Sequence, residues 1–247
     1  MRPAATISAL AAVTVALGLA VTGCGGDGGG GDGATATTSA QTTDATAATG
    51  TTGPTTAPTT GPTTAAPVGA ATGQTVGEYL TARGVTQTIV KANEPGVPAV
   101  DLPMPDGWEA VTDAADVPPD AYGAIYLSSA KETPNPPAIL VRMARLEGGT
   151  FDVDTILELA PNAVTRLPGW QGPAQGTPDE LGGYPASAIA GTAEVDGVPN
   201  FVARKTVVIN GADHTYLLAL DAQGPAGQQQ VLTEAMTVID AGTTIRP

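Results

Sequence analysis

The chain has 247 residues, with 24 acidic and 10 basic side chains and a formal net charge of −14 at pH 7. Nucleic-acid binding is close to excluded, because phosphate neutralisation needs clustered basic side chains and Arg204-Lys205 is the only adjacent basic pair. A single cysteine, Cys24, and a single histidine, His214, also exclude an internal disulfide framework, a thiolate zinc site and a Cys-His catalytic pair within a folded domain.

Residues 1–23 have the pattern of a lipoprotein signal peptide. An uncharged run of mostly Ala, Leu and Val over residues 4–21 has the short apolar length of a signal h-region. Val21-Thr22-Gly23-Cys24 follows as a lipobox, with small residues directly before the only thiol of the chain. The pattern predicts cleavage between Gly23 and Cys24 and a diacylglyceryl anchor on Cys24; an uncleaved membrane anchor with an incidental cysteine is the alternative. We expect an extracytoplasmic protein, lipid-anchored to the cell membrane.

Residues 24–74 are predicted to be the lipidated cysteine followed by a disordered tether. The stretch 25–74 holds 16 Thr, 12 Gly and 4 Pro and no aromatic residue. Nothing in it can offset the entropy lost when a chain becomes ordered. Fully extended it would reach roughly 165 Å, and as a flexible coil about 40 Å. Thr/Pro-rich stalks are also frequent targets of O-glycosylation.

Residues 75–247 contain every aromatic residue of the chain and are predicted to form a single globular domain. Thr75-Val-Gly-Glu78 has the pattern of a capping box, which predicts a short first helix ending near Gly84. Three apolar runs, rich in branched and aromatic side chains, follow between Pro-rich and Asp-rich loops. They predict the first three strands, at Trp108–Val111, Ala121–Leu127 and Ala138–Leu146.

The second half of the domain predicts a helix, a meander and a last helix. Apolar residues recur at helical spacing from Val153 to Leu167, and Pro161 should kink or restart that helix. Three alternating runs joined by Asp-Gly and Asn-Gly turns predict antiparallel strands at Tyr184–Val195, Phe201–Ile209 and Thr215–Leu220. A final amphipathic helix spans 231–239. The order α-β-β-β-α-β-β-β-α favours an α+β fold, a mostly antiparallel β-sheet flanked by helices.

Six segments of the domain resemble one known family. They are Thr75-Val-Gly-Glu-Tyr-Leu, Asp101-Leu-Pro-Met-Pro-Asp-Gly-Trp, Ala121-Tyr-Gly-Ala-Ile-Tyr, Ile156-Leu-Glu-Leu-Ala-Pro, Leu167-Pro-Gly-Trp and Lys205-Thr-Val-Val-Ile. Together they are similar to the LpqN/LpqT lipoproteins of mycobacteria and related actinobacteria, over essentially all of residues 75–247. The resemblance implies a Mog1/PsbP-like α/β/α sandwich and a cell-envelope lipoprotein connected with the transport or assembly of envelope lipids. It supplies no catalytic residues that could be carried over to this sequence, so only the lipobox transfers residue by residue.

The residues themselves predict no catalytic or metal site and no cofactor. The three serines of the domain lie outside any Gly-x-Ser-x-Gly pattern, at Ser128, Ser129 and Ser187. His214 stands beside Asp213 in a hairpin, so a Ser-His-Asp hydrolase would need distant contacts. Asp152-x-Asp154 directly precedes an apolar helical stripe and is interpreted as a helix N-terminus rather than a cation site. We therefore expect a protein that is not an enzyme.

Trp108 and Trp170 are the candidate ligand-binding residues. Each follows a glycine in a Pro-rich loop, where a tryptophan either forms the wall of a binding groove or fills the edge of a small core. The acidic stretch between Lys91 and Lys131 could dock a basic partner, although a solvated surface is the simpler interpretation.

Three functions remain open. The leading hypothesis is a non-catalytic envelope lipoprotein that binds an envelope lipid or glycolipid, or a lipid-transport membrane protein. A structural or adhesive surface module without a small-molecule ligand is the alternative, and an envelope glycolipid hydrolase is the third. An apolar groove would favour the first function, and a surface without a pocket would favour the second. Converging Ser, His and Asp side chains would favour the hydrolase.

Overall fold

The structure, a computed structural model, describes residues 73–113 and 116–247. The signal peptide, Gly23, Cys24 and nearly all of the tether lie outside the described residues, so these predictions stay predictions. Within the described part of the chain, no helix combines the length and the apolar character needed to cross a membrane.

Four α-helices and ten strands follow one another along the described residues. The helices are α1 Val76–Ala82, α2 Val153–Leu159, α3 Asn162–Thr165 and α4 Gln229–Gly242. The strands are β1 Thr86–Ile89, β2 Ala99–Asp101, β3 Trp108–Ala110, β4 Gly123–Leu127, β5 Ala138–Glu147, β6 Thr177–Leu181, β7 Tyr184–Val195, β8 Val198–Asn210, β9 Thr215–Pro225 and β10 Thr244–Arg246.

An eight-stranded antiparallel sheet runs in the order β3-β4-β5-β9-β8-β7-β6, and β1 pairs with the second half of β5. The three strands of the predicted meander, β7, β8 and β9, are adjacent in this sheet. Asp196 and Gly197 both adopt positive φ, 52° and 75°, as a type I′ hairpin turn between β7 and β8 requires. The second hairpin differs from the prediction, since Asn210 pairs with Thr215 across the four-residue loop 211–214 instead of a two-residue turn.

Neighbouring residues of the central strands point to opposite sides of the sheet, and helices cover both sides. Val207 and Leu218 belong to a core that includes Leu232, Ala235 and Ile239 of α4; we call this side the α4 face. Adjacent residues Val208 and Leu217 pack instead with α1 and α2. We call this second side the α1/α2 face. The fold is the α+β sandwich that the sequence predicts. The predicted order α-β-β-β-α-β-β-β-α is incomplete, because it lacks the strands β1, β2, β6 and β10, which are short.

The predicted helix boundaries have visible causes. In α1, the Thr75 and Glu78 side chains each accept a hydrogen bond from the other residue's backbone N–H, which completes the capping box. Asp152 caps α2 by accepting the N–H of Thr155 at 2.8 Å, which confirms its interpretation as a helix start. The single helix predicted across Pro161 is two helices, because α2 ends at Leu159 and α3 restarts after the proline.

Candidate functional site

An open groove of about 350 Å³ lies on the α4 face, between α4 and the sheet edge formed by β6. Its floor is made by Ala188 and Ala190 of β7 and by Phe201 and Ala203 of β8. Alanine projects only a methyl group from the sheet, so three alanines leave a gap where larger side chains would fill the space. Ala188 and Ala203 are half-buried and Ala190 is exposed, so the floor is open to solvent.

Two adjacent stripes of α4 explain why the helix leaves the groove open. Residues at helical spacing on one stripe are fully buried in the core, at Leu232, Ala235 and Ile239. The stripe one position further along the chain forms the groove wall, with Thr233, Met236 and Asp240. Because one residue turns the helix by about 100°, the same element anchors itself on the sheet and presents a separate wall to the groove.

A buried lysine between two carboxylates forms the polar part of the groove. Lys205 lies on β8 opposite Ala188, and its side chain is only 3% exposed. Its Nζ lies 2.7 Å from Asp179 Oδ2 of β6 and 2.7 Å from Asp240 Oδ1 of α4. Each carboxylate remains 37% exposed. The three side chains therefore carry a net charge of −1 and keep carboxylate oxygens within reach of solvent.

The two carboxylates of this triad titrate differently. Burial raises the pKa of Asp240 above its ordinary value, and the hydrogen bond from Lys205 only partly offsets that effect. For Asp179 burial also acts to raise the pKa, but the hydrogen bonds from Lys205 and from the Glu180 N–H outweigh it and the pKa is lowered. Asp240 is therefore the carboxylate that more readily takes up a proton.

The predicted tryptophans do not line this groove. Trp108 is 6% exposed and belongs to the core beneath the α4 face, which matches the core-filling interpretation. Trp170 is half-buried against the cluster around Val164 and Ile189. Its Nε1–H donates to the carbonyl oxygen of Pro173 at 3.2 Å, and Pro173 is a wall residue of the groove. Trp170 thus contacts a wall residue without lining the groove, and direct ligand binding by either tryptophan stays a prediction.

The other residues singled out in the sequence have local partners. The ring of His214 meets the ring of Tyr216 edge-on at a centroid distance of 6.5 Å. Ser128 Oγ donates to the carbonyl oxygen of Gly107 at 2.7 Å, and Ser187 is buried in β7. Among residues 73–113 and 116–247, no group of three or more His, Cys, Asp and Glu side chains is arranged to hold a metal ion.

Sequence reasoning missed the groove because its floor consists of small residues, which have no sequence signature of binding. One available signal was Lys205, a basic residue in the middle of an apolar strand. Its partners lie 26 positions before it and 35 positions after it, so only the folded chain brings Asp179 and Asp240 together.

The fold and the groove define the class of protein, an α+β sandwich domain with an open, partly apolar groove on one face.

A family model described as "Probable lipoprotein LpqN" matches residues 72–246. Lipoprotein LpqN of Mycobacterium tuberculosis (strain ATCC 25618 / H37Rv) is 34% identical over 173 residues, which cover 70% of this chain and 74% of LpqN. A solved structure entitled "Crystal structure of LpqN involved in cell envelope biogenesis of Mycobacterium tuberculosis" matches with a TM-score of 0.65 at 33% identity, over 70% of this chain and 98% of that one.

The chain therefore belongs to the LpqN lipoprotein family, as its six segments predict. The solved relative also has the mostly antiparallel α+β fold. Membership of a lipoprotein family implies a location associated with the cell envelope.

Proposed function

We propose that this protein is a non-catalytic, membrane-tethered envelope lipoprotein that binds an acyl chain of an envelope lipid in the groove between α4 and β6. The single observation that carries the proposal is the groove itself. Its volume of about 350 Å³ is within the usual size of small-molecule sites, roughly 300–1,000 Å³. Three alanines, Phe201 and Met236 supply apolar contact for a hydrocarbon chain.

The triad at the groove favours a neutral, hydroxyl-bearing head group, as in a glycolipid. Asp179 and Asp240 keep partly exposed carboxylates, which accept hydrogen bonds from hydroxyl groups. An anionic head group would meet a net charge of −1 in the triad and −14 on the whole chain. Lys205 cannot attract an anion freely, since its ammonium group already contacts both carboxylates.

The predicted membrane anchor and the solved relative support an envelope lipid as the ligand rather than a soluble metabolite. The lipobox at Cys24 predicts attachment to the membrane, and the tether predicts that the domain can reach lipids well away from its anchor. The solved relative is described as involved in cell envelope biogenesis of Mycobacterium tuberculosis. We extend that description to this chain as part of the proposal.

The test uses the full chain and two probes that share a twelve-carbon chain, dodecyl maltoside and dodecanoate, both below their micellar concentrations. Calorimetry should give saturable binding of the maltoside and about tenfold weaker binding of the anion, a difference of about 1.4 kcal/mol. Ala203→Leu fills the groove floor and should lower maltoside affinity about tenfold or more.

Ala110→Leu is the matched control, because Ala110 is an exposed alanine on β3 at the other end of the sheet. Undiminished maltoside binding by the Ala203→Leu variant would place the lipid elsewhere. If the unmodified chain shows no saturable binding but crosslinks to a membrane protein in cells, the domain docks a protein and does not bind a lipid.

A further inference from the structure

We infer a second ligand site on the α1/α2 face, built around Arg142, that binds the neutral ester carbonyl of a small apolar molecule. It shares no lining residue with the groove on the α4 face. The inference is therefore independent of the proposed lipid function.

The site is a cavity of about 80 Å³ beneath two Pro-rich loops. Apolar side chains from the loops, from α3 and from the sheet form most of its wall, namely Val111, Pro118, Pro136, Leu140, Val164 and Val202. A single water needs about 10–15 Å³ of such space, so the cavity is several times larger than one water requires. The walls are suited to a short hydrocarbon segment.

Arg142 supplies an unpaired donor in this apolar wall. The residue lines the cavity and is only 2% exposed. Its Nε contacts Asp120 Oδ2 at 2.7 Å and its Nη1 contacts Asp221 Oδ2 at 2.9 Å. The third nitrogen, Nη2, is buried and donates to no atom of the described residues. A buried donor on a charged group without an acceptor is unfavourable, so an oxygen atom that reaches Nη2 from the cavity, of a ligand or of a buried water, would stabilise the arginine.

The surrounding charges decide which oxygen fits. Asp221 lies directly opposite Arg204 on the neighbouring strand and pairs with both arginines. Arg142 and Arg204 are therefore balanced by Asp120 and Asp221, and a further carboxylate, Asp116, also lines the cavity. An anionic acceptor would add to an excess of negative charge, and a cation cannot accept the hydrogen bond. A neutral carbonyl within a hydrocarbon meets both the donor and the apolar walls.

The experiment records NMR spectra of the full chain with three small probes: methyl hexanoate, hexanoate and hexane. Methyl hexanoate should saturably shift the Val202 methyl signals and the Nη signals of Arg142. Hexane should shift Val202 alone, and hexanoate should bind about tenfold more weakly than the ester. The probes thus separate the hydrogen bond from simple occupancy of the cavity.

Arg142→Lys keeps the positive charge but removes Nη2, and should abolish the preference for ester over hexane while hexane still binds. Arg145→Lys is the matched control, since Arg145 lies on the same strand, outside the cavity. If the Arg142→Lys chain does not fold, the Arg142 signals of the unmodified chain decide alone. Absent ester binding, tighter binding of hexanoate, or an unchanged preference in folded Arg142→Lys would overturn the inference.

Discussion

Lys205 has a buried side chain in the middle of β8, where its ammonium group separates two carboxylates. We expect Lys205→Met to lower the free energy of unfolding at pH 7 by about 1–3 kcal/mol, because Asp179 and Asp240 lose their cation and repel each other. In the unmodified chain the pKa of Asp240 is raised. Its contribution to the free energy of unfolding is therefore fully present below the ordinary value of 3.8 and is lost as pH rises through the raised pKa. The pKa of Asp179 is lowered, so its contribution is lost as pH falls.

Without Lys205 both pKa values should lie above the ordinary value of an aspartate, and protonation should then relieve the repulsion. The stability deficit of Lys205→Met should therefore shrink between pH 7 and about pH 3.5, as measured by urea unfolding at each pH. Lys131→Met, which changes an exposed lysine, is the control. An equal deficit at both pH values would contradict this description of the triad.

Glu78 gives a second pH-dependent prediction, at the start of α1. Hydrogen bonds from the Arg166 guanidinium and from the Thr75 N–H lower its pKa to about 2. Since the folded pKa is depressed, Glu78 stabilises the fold above the ordinary value of 4.5, and this contribution is lost as pH falls through about 2. A carboxyl ¹³C NMR titration should measure the low value directly.

Arg166→Gln should move the pKa of Glu78 part of the way back toward its ordinary value, because the Thr75 hydrogen bond remains. Arg246→Gln, which changes an exposed arginine that pairs with Asp101 instead, is the control. A Glu78 pKa near the ordinary value of 4.5 in the unmodified chain would show that this ion pair does not form. A Glu78 pKa that is the same with and without Arg166→Gln would show the same.

At the level of the elements, substitutions on the two stripes of α4 should have different effects. A change on the buried stripe should lower stability, and a change on the groove wall should lower ligand affinity. Ile239 is fully buried in the core, and Ile239→Ala should lower the free energy of unfolding by about 2–5 kcal/mol. Met236 is half-buried on the groove wall, and Met236→Ala should change stability by about 1 kcal/mol or less while lowering dodecyl maltoside affinity severalfold. Denaturant unfolding and calorimetry on both variants check the division. A larger loss of affinity in folded Ile239→Ala than in Met236→Ala would contradict it.

The long central strands could be predicted because their pattern is local. Tyr184–Val195 alternates and ends in an Asp-Gly turn, so chain neighbours alone define the first hairpin. β2 and β10 could not be found, because each has three residues and they pair across more than 140 positions of sequence. β6 has Pro178, Asp179 and Glu180 in an exposed edge position, a composition that sequence rules assign to a loop. Pairing partners, rather than strand composition, create these elements.

The candidate sites were less predictable than the fold. The sequence favoured tryptophans as groove walls, yet Trp108, on the edge strand β3, is buried in the core. The groove depends on absent volume at Ala188, Ala190 and Ala203, and the second cavity depends on one unpaired nitrogen of Arg142. Space and unmet hydrogen bonds are properties of packing, which the order of residues does not reveal.

For the whole molecule, the lipobox makes a prediction that does not depend on the groove. Cys24→Ala should shift the protein from the membrane pellet to soluble or unprocessed forms, because a two-chain anchor holds a protein where weaker attachments exchange. Cell fractionation with immunoblotting measures the shift, and Ser39→Ala in the tether is the control. Full membrane retention of a completely processed Cys24→Ala protein would contradict anchoring through Cys24.

The central claim is that the groove between α4 and β6 holds an acyl chain, and methyl NMR with isotope-labelled alanine and methionine tests it most directly. Dodecyl maltoside with a protonated chain should give intermolecular NOEs from its methylene groups to the methyls of Ala190, Ala203 and Met236. The methyl of Ala110 on β3 should give none. Saturable binding accompanied by methylene NOEs confined to methyls outside the groove would contradict the claim.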